Sequence, residues 1–177
     1  MSGGYPQPVV LDTTVVSNFA STDSVSFLAA VLKLPVVVPA VRDELERGLD
    51  AGHEYLDAAV DALGEELHIQ PAAADDGVQE IRDRLDRGEA ESLLGAIEHR
   101  GTLATDDLAA RKVANQRDVP VTGSIGLLVL GVESAYLDRN TADKWLGTWR
   151  EQRGHYAPVK SSEILSDSAI THPTILI

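Results

Sequence analysis

Cysteine is absent from this chain of 177 residues, which excludes a disulfide framework, thiolate zinc sites and a thiol nucleophile. Lysine is almost as scarce: four Lys and eleven Arg stand against 28 acidic residues. Aromatic residues make up only 5% of the chain. No long apolar stretch occurs either. The longest, Ile125 to Val132, falls far short of the ~18 residues of a membrane span. The opening Met1-Ser2-Gly3-Gly4-Tyr5-Pro6 lacks the basic and apolar regions of a signal peptide, so a cytoplasmic protein with no membrane contact is expected. What remains, 44% hydrophobic and 24% charged residues, is the composition of a globular domain. A chain of this length buries roughly 70% of its unfolded surface and needs no covalent staples.

The net charge of −13 opposes a general nucleic-acid-coating role, because phosphate binding draws on Lys and Arg patches. Such a surplus self-repels at low salt, and scarce lysine with acids spread along the whole chain favours adaptation to high intracellular salt, as in proteins of haloarchaeal type, over the plainer reading of an acidic mesophilic protein. In so acidic a chain a single Asp or Glu carries little information. Position has to supply it.

Apolar runs of strand length alternate with segments of helical period, the pattern of βαβ units around a parallel sheet. Strands are expected at Pro8 to Asp12, Pro35 to Val38, Leu67 to Gln70, Gly101 to Thr105 and Val119 to Thr122. Helices are expected over Val15 to Leu32 with a break near Ser21, and over Ala40 to Leu63 with a break near Gly52. Asp75 to Leu85, Glu89 to His99, Leu108 to Gln116, Ile125 to Leu137 and Thr141 to Gln152 complete the set. Trp145 and Trp149, spaced i and i+4, read as one packed helix face. Beyond Arg153 the chain is polar and turn-rich until Thr174-Ile175-Leu176-Ile177, which fits a tail or an edge strand.

Ligands of open parallel sheets bind beyond the carboxyl ends of the strands, so the acids placed there are the informative ones. Asp12 closes Val9-Val10-Leu11, and Asp106-Asp107 follow Leu103-Ala104-Thr105. Each could equally cap the helix that follows. For Asp12 that reading is weaker, since Thr13 or Thr14 could cap instead. Two helix-borne acids could join them. Glu44 borders the apolar face formed by Val41, Leu45 and Leu49, whereas Asp43 points nearly opposite. Glu89 and Glu91 flank the apolar face of their helix on opposite sides, and the helical wheel does not choose between them. Carboxylates from four segments gathered in one pocket repel unless a hard cation neutralises them, and all-oxygen ligation selects Mg²⁺ or Mn²⁺. Such an ion activates water and steadies charge on a phosphodiester, the chemistry of metal-dependent hydrolysis.

Other chemistries find no support in the residues. The histidines at 53, 68, 99, 155 and 172 show no metal-ligand spacing. Gly123-Ser124-Ile125-Gly126 lacks the flanks of a nucleophile elbow, and Ser124 reads as a helix N-cap or a phosphate contact at that helix start. No P-loop and no Gly-x-Gly-x-x-Gly occurs.

Taken in order, these segments resemble a PIN domain, the nuclease fold of the toxin half of VapBC toxin–antitoxin pairs. Val9-Val10-Leu11-Asp12-Thr13-Thr14 is similar to the family's opening strand and first aspartate, and Val38-Pro39-Ala40-Val41-Arg42-Asp43-Glu44-Leu45 to its proline-led helix, with Glu44 at the acidic position. Gly88-Glu89-Ala90-Glu91 resembles the third acidic motif, with Glu91 where many members carry Asp and Glu89 as near neighbour. Leu103-Ala104-Thr105-Asp106-Asp107 resembles the fourth, a Thr-x-Asp that assigns the ligand to Asp107, with Asp106 the second candidate. Val119 to Gly126 resembles a stretch common in PilT-like members.

The resemblance implies a three-layer α/β/α sandwich with a central parallel sheet, a PIN-like nuclease domain over residues 1–152 and a C-terminal extension or tail over 153–177. It implies Mg²⁺ or Mn²⁺ held by Asp12, Glu44, Glu91 and Asp107, with Thr13, Thr105 and Ser124 positioning water or phosphate. Single-stranded RNA is the implied substrate, with homodimers frequent and a cognate antitoxin a common partner. The reading from a different class is a PIN-fold module that binds RNA or protein without catalysis.

Overall fold

Each of the short apolar runs becomes a strand in the computed structural model, which describes residues 4–72 and 79–152. These are β1 (Val9–Leu11), β2 (Pro35–Val37), β3 (His68–Ile69), β4 (Thr102–Ala104) and β5 (Val121–Thr122). They pair in the order β3-β2-β1-β4-β5, every neighbour parallel. Val9, Val10 and Leu11 are wholly buried, as a strand covered on both faces must be. All five strands are a little shorter than expected from the apolar runs: β5 is shortened at its start, and in β1 to β4 the last residues leave the sheet to start a helix or loop. Asp12 and Thr105 are two such residues.

Around the sheet lie α1 (Thr13–Ser21), α2 (Val25–Val31), α3 (Pro39–Asp50), α4 (Asp57–Ala62), α5 (Gln79–Arg84), α6 (Arg87–Glu98), α7 (Leu108–Gln116), α8 (Ser124–Glu133) and α9 (Arg139–Gln152). A 3₁₀ turn at Glu54–Leu56 precedes α4. The two expected helix breaks have local causes. After Ser21 the hydroxyls of Thr22 and Ser24 donate back to the Phe19 carbonyl, at 3.2 and 3.0 Å, and end α1. Past α3 the chain turns at Gly52, whose φ of 100° favours glycine. The helix expected from Asp75 is observed from Gln79, its first residues lying outside the described part. The extension over 153–177 also lies outside it. α6 lies over β1 and β4 and packs on α3, α5 and α7, while α1, α8 and α9 pack on one another. The result is an α/β/α sandwich. Among the described residues no helix is long and apolar enough to cross a membrane.

An aromatic-poor chain has placed both of its phenylalanines and both of its tryptophans in one cluster. Phe19 stacks on Phe27 at 5.5 Å, Trp149 meets Phe19 edge-on at 5.0 Å, and Trp145 meets Phe27 edge-on at 5.5 Å. This cluster fastens α9 to α1 and α2. Trp149 is fully buried, and its indole N–H donates to the Asn18 carbonyl at 2.7 Å. The tryptophan pair is thus the packed helix face that its spacing suggested.

The sheet order fixes where a ligand site can form. From β1 the chain proceeds outward to β2 and β3, then returns to lay β4 and β5 on the other side of β1. The connections on the two sides therefore diverge, and a crevice opens at the carboxyl ends of β1 and β4.

The acidic surplus carries an expectation of its own. The melting temperature should climb steadily from dilute buffer to molar KCl, past the point where screening of surface charge is complete. A flat or falling curve in a thermal scan would reject salt adaptation.

Candidate active site

Asp12 leaves β1 directly into that crevice and occupies the N-cap position of α1, yet its carboxylate does not cap the helix. Instead its Oδ2 accepts the hydroxyls of Thr105, at 2.8 Å, and Thr14, at 3.1 Å. Those hydroxyls are themselves held by backbone: Thr14 Oγ1 accepts the Asp106 N–H at 3.1 Å and Thr105 Oγ1 the Asp107 N–H at 3.2 Å. Asp12 is only 2% exposed. Burial pushes its carboxyl up to about 6, against the opposing pull of the Thr105, Thr13 and Thr14 hydrogen bonds, and the Glu44 charge adds to the rise.

Glu44 comes from α3, a helix that starts with Pro39 in its first turn. It accepts the Thr13 hydroxyl in a short hydrogen bond. Its carboxylate also rests against the backbone of Gly88, where any Cβ would overlap it. Glycine at 88 is what lets α3 and α6 bring their acids together. The adjacent Asp43 turns the other way, to Arg42 at 3.0 Å and Arg87 at 3.5 Å.

On α6 the structure separates the two glutamates that the helical wheel left equivalent. Glu91 pairs with Arg87 at 3.3 Å, an i, i+4 contact on the Asp43 side. Glu89 completes a capping box with Asp86, and its carboxyl is pushed up to about 7. Desolvation is the main cause, and the charges of Asp86, Asp107 and Asp12 add to it. Glu89 therefore feels the acids of the crevice, and Glu91 lies toward Arg87.

Asp107 and Asp106 divide the work at the end of β4. Asp107 Oδ1 accepts the Ala110 N–H at 2.8 Å and caps α7. Asp106 is engaged on both oxygens by the backbone N–H of Ser124 at 2.8 Å, by the Ser124 hydroxyl and by the Asn18 amide at 3.0 Å. The N-cap position of α8 is Gly123 rather than Ser124, and the capping carboxylate comes from Asp106 across the crevice. A Cβ at 123 would stand 2.5 Å from Asp106 Oδ1 and 2.8 Å from the Arg111 guanidinium. Ser124 thus holds Asp106, and its hydroxyl is committed.

Sequence reasoning passed over Asn18 and Arg111. Asn18 is buried in the middle of α1, its side-chain amide donating to Asp106 and, at 3.1 Å, to Ser124, while its main-chain carbonyl accepts the Trp149 indole N–H. Arg111 is buried and donates to the Thr105 carbonyl at 2.9 Å. For Asn18 the available signal was a pair of polar residues, Ser17-Asn18, within the apolar stretch Val15-Val16-Ser17-Asn18-Phe19-Ala20.

Asp12 and Asp107, which follow β1 and β4, and Glu44 and Glu89, from α3 and α6, thus lie near enough for charge to act among them: Glu44 on Asp12, and Asp12 and Asp107 on Glu89. A sequence model of the PIN domain matches residues 8–168. The chain belongs to the PIN domain family. Curated protein sequences give no match to it. PIN domains are a nuclease-type family. In this PIN domain the donor chemistry suits a hard cation: all-oxygen, desolvated carboxylates raised by one another's charge. As the side chains stand, no three carboxylate or imidazole groups among the described residues converge closely enough to hold a metal ion.

Proposed function

We propose that this PIN domain is a metal-dependent endoribonuclease acting on single-stranded RNA. The observation that carries the proposal is the buried Asp12 carboxylate, held by two hydroxyls in the β1–β4 crevice and facing the charges of Glu44 and Glu89. A protein gains nothing in stability from acids so placed, because desolvation and mutual repulsion both oppose them. A divalent cation offsets both effects.

Asp12, Glu44, Glu89 and Asp107 would hold Mg²⁺ or Mn²⁺, which when bound supplies activation of water and neutralisation of phosphodiester charge. Everything else falls to the chain itself. Thr14 and Thr105 fix the Asp12 carboxylate, and Thr13 orients Glu44. Asp106, Asn18 and Ser124 lock the start of α8 against the end of β4. In a toxin pair, an antitoxin would silence such a site with an Arg or Lys among the carboxylates, since a guanidinium can replace the charge of the metal.

A second reading, a PIN-fold module that binds RNA or protein without cutting, draws support from the net charge of −13 and from the absence, among the described residues, of a converged triad. Cleavage of a labelled single-stranded RNA with Mn²⁺ and with EDTA separates the two. Glu44→Gln is expected to lower the Mn²⁺-dependent rate by about 100-fold or more, since even the partners of metal ligands are worth ~10–100-fold. Asp43→Asn, which removes only ion pairs to Arg42 and Arg87, should change it by a few fold at most. Absence of metal-dependent cleavage from the wild type would favour the non-catalytic module.

A further inference from the structure

One cavity departs from the chemistry of the rest of the surface. It measures about 510 Å³, within the range of small-ligand pockets, and is lined by Leu108, Arg111, Lys112, Asn115 and Gln116. Among the described residues no acid lines it. Two other cavities are built differently: one of about 610 Å³ carries Asp23, Glu54 and Asp57, and one of about 150 Å³ carries Asp23 and Glu66.

The position of this cavity is as informative as its lining. It starts with Leu108, the residue after Asp107, and follows one face of α7 at i, i+4 and i+7 through Lys112 and Asn115. Arg111 joins it to the crevice, because the same guanidinium donates to the carbonyl of Thr105, whose hydroxyl holds Asp12. Leu108 is 72% exposed, although it is apolar and adjoins an acidic site. Lys112 is exposed and makes no hydrogen bond or ion pair with any described residue. Gln116 is steadied by the Arg84 guanidinium at 3.0 Å.

We propose that this cavity is a substrate subsite that holds the nucleotide next to the scissile phosphate, with Lys112 on the flanking phosphate and Leu108 against the base or ribose. The proposal rests on the endoribonuclease reading above. Charge complementarity is its main support: a polyanion entering a carboxylate-rich crevice needs a nearby stretch free of carboxylates and supplied with cations. An apolar side chain beside a phosphate contact suits a single strand, whose unpaired bases are free to pack on protein.

Steady-state cleavage of a labelled single-stranded RNA with Mn²⁺ tests this, comparing Lys112→Glu with Lys33→Glu. Lys33 is also exposed but precedes β2, at the amino end of that strand rather than beyond the carboxyl ends where the crevice lies, and the two variants change net charge equally. Lys112→Glu is expected to raise KM about tenfold with kcat little changed, and to lower the slope of log KM against log salt by about one. Leu108→Ser should raise KM without changing that slope. Lys33→Glu should leave KM within about twofold of wild type, as expected for a distant charge. Equal effects from the two lysine variants, or an unchanged KM for Lys112→Glu in an active enzyme, would overturn the subsite and leave the nuclease reading standing. A wild-type protein that cleaves no RNA would instead sink the nuclease reading, and the subsite with it.

Discussion

Glu89→Gln is expected to reduce Mn²⁺-dependent RNA cleavage by about 100-fold or more, whereas Glu91→Gln should remain within a few fold of wild type. The two residues lie one turn-fraction apart on α6 and have the same side chain, so composition cannot distinguish them. Their surroundings do. Glu91 is neutralised by Arg87 at 3.3 Å, so its loss removes a surface ion pair. The Glu89 carboxyl is raised by the charges of Asp12 and Asp107, which places it among the acids a cation would gather. Glutamine at 89 can still complete the capping box with Asp86, so a folding defect is not expected to mimic the loss. Circular dichroism melts run beside the assay would verify that. The opposite ranking, with Glu91→Gln the more damaging, would overturn this choice of the third acid.

Asp12→Asn should abolish cleavage and yet stabilise the metal-free protein at neutral pH. The sign follows from the direction of the shift. Asp12 has its folded-state carboxyl raised to about 6 from an ordinary 3.8, so the native state holds the proton more tightly than the unfolded chain does. The favourable contribution is complete below pH 4 and is lost as pH rises through about 6. At pH 7.5 the ionised group then costs on the order of 3 kcal/mol, and at pH 5 about half of that. Asparagine keeps an oxygen for the Thr105 hydroxyl and removes the charge. Its advantage in melting temperature should therefore be several degrees at pH 7.5 and shrink toward pH 4. Millimolar Mn²⁺ should reverse the order, because the wild type gains binding free energy that the variant forgoes. A melting temperature of Asp12→Asn equal to that of wild type at every pH, in EDTA, would show that the carboxylate is not desolvated as described.

Much of this architecture could be read before any coordinates. Strands buried on both faces announce themselves as short apolar runs, and β1, β2 and β4 lie within the expected spans. α7 begins and ends where predicted, because Asp107 caps one end and the polar Gln116-Arg117-Asp118 closes the other. Periodicity also turned Glu44 inward and Asp43 outward. What stayed illegible was whatever depended on partners distant in sequence. The fate of Ser124 depends on Asp106, which arrives from another strand to cap α8. Glu89 and Glu91 sit symmetrically about their own helix, and only Asp12 and Asp107 on one side and Arg87 on the other break the tie.

The pairing of β1 with β4 has a consequence for the life of the chain during synthesis. Asp12 is made early, but the hydroxyl that holds it belongs to Thr105, which follows β4, and β4 takes its place between β1 and β5. A nascent chain can pair β1 with β2 and fold α1 through α4 while still lacking half of the crevice. Contacts of such long sequence separation form late, because closing the intervening loop is entropically costly. An amino-terminal fragment therefore presents an unsupported aspartate and no complete cleft, and the site would be assembled in one step with the docking of β4.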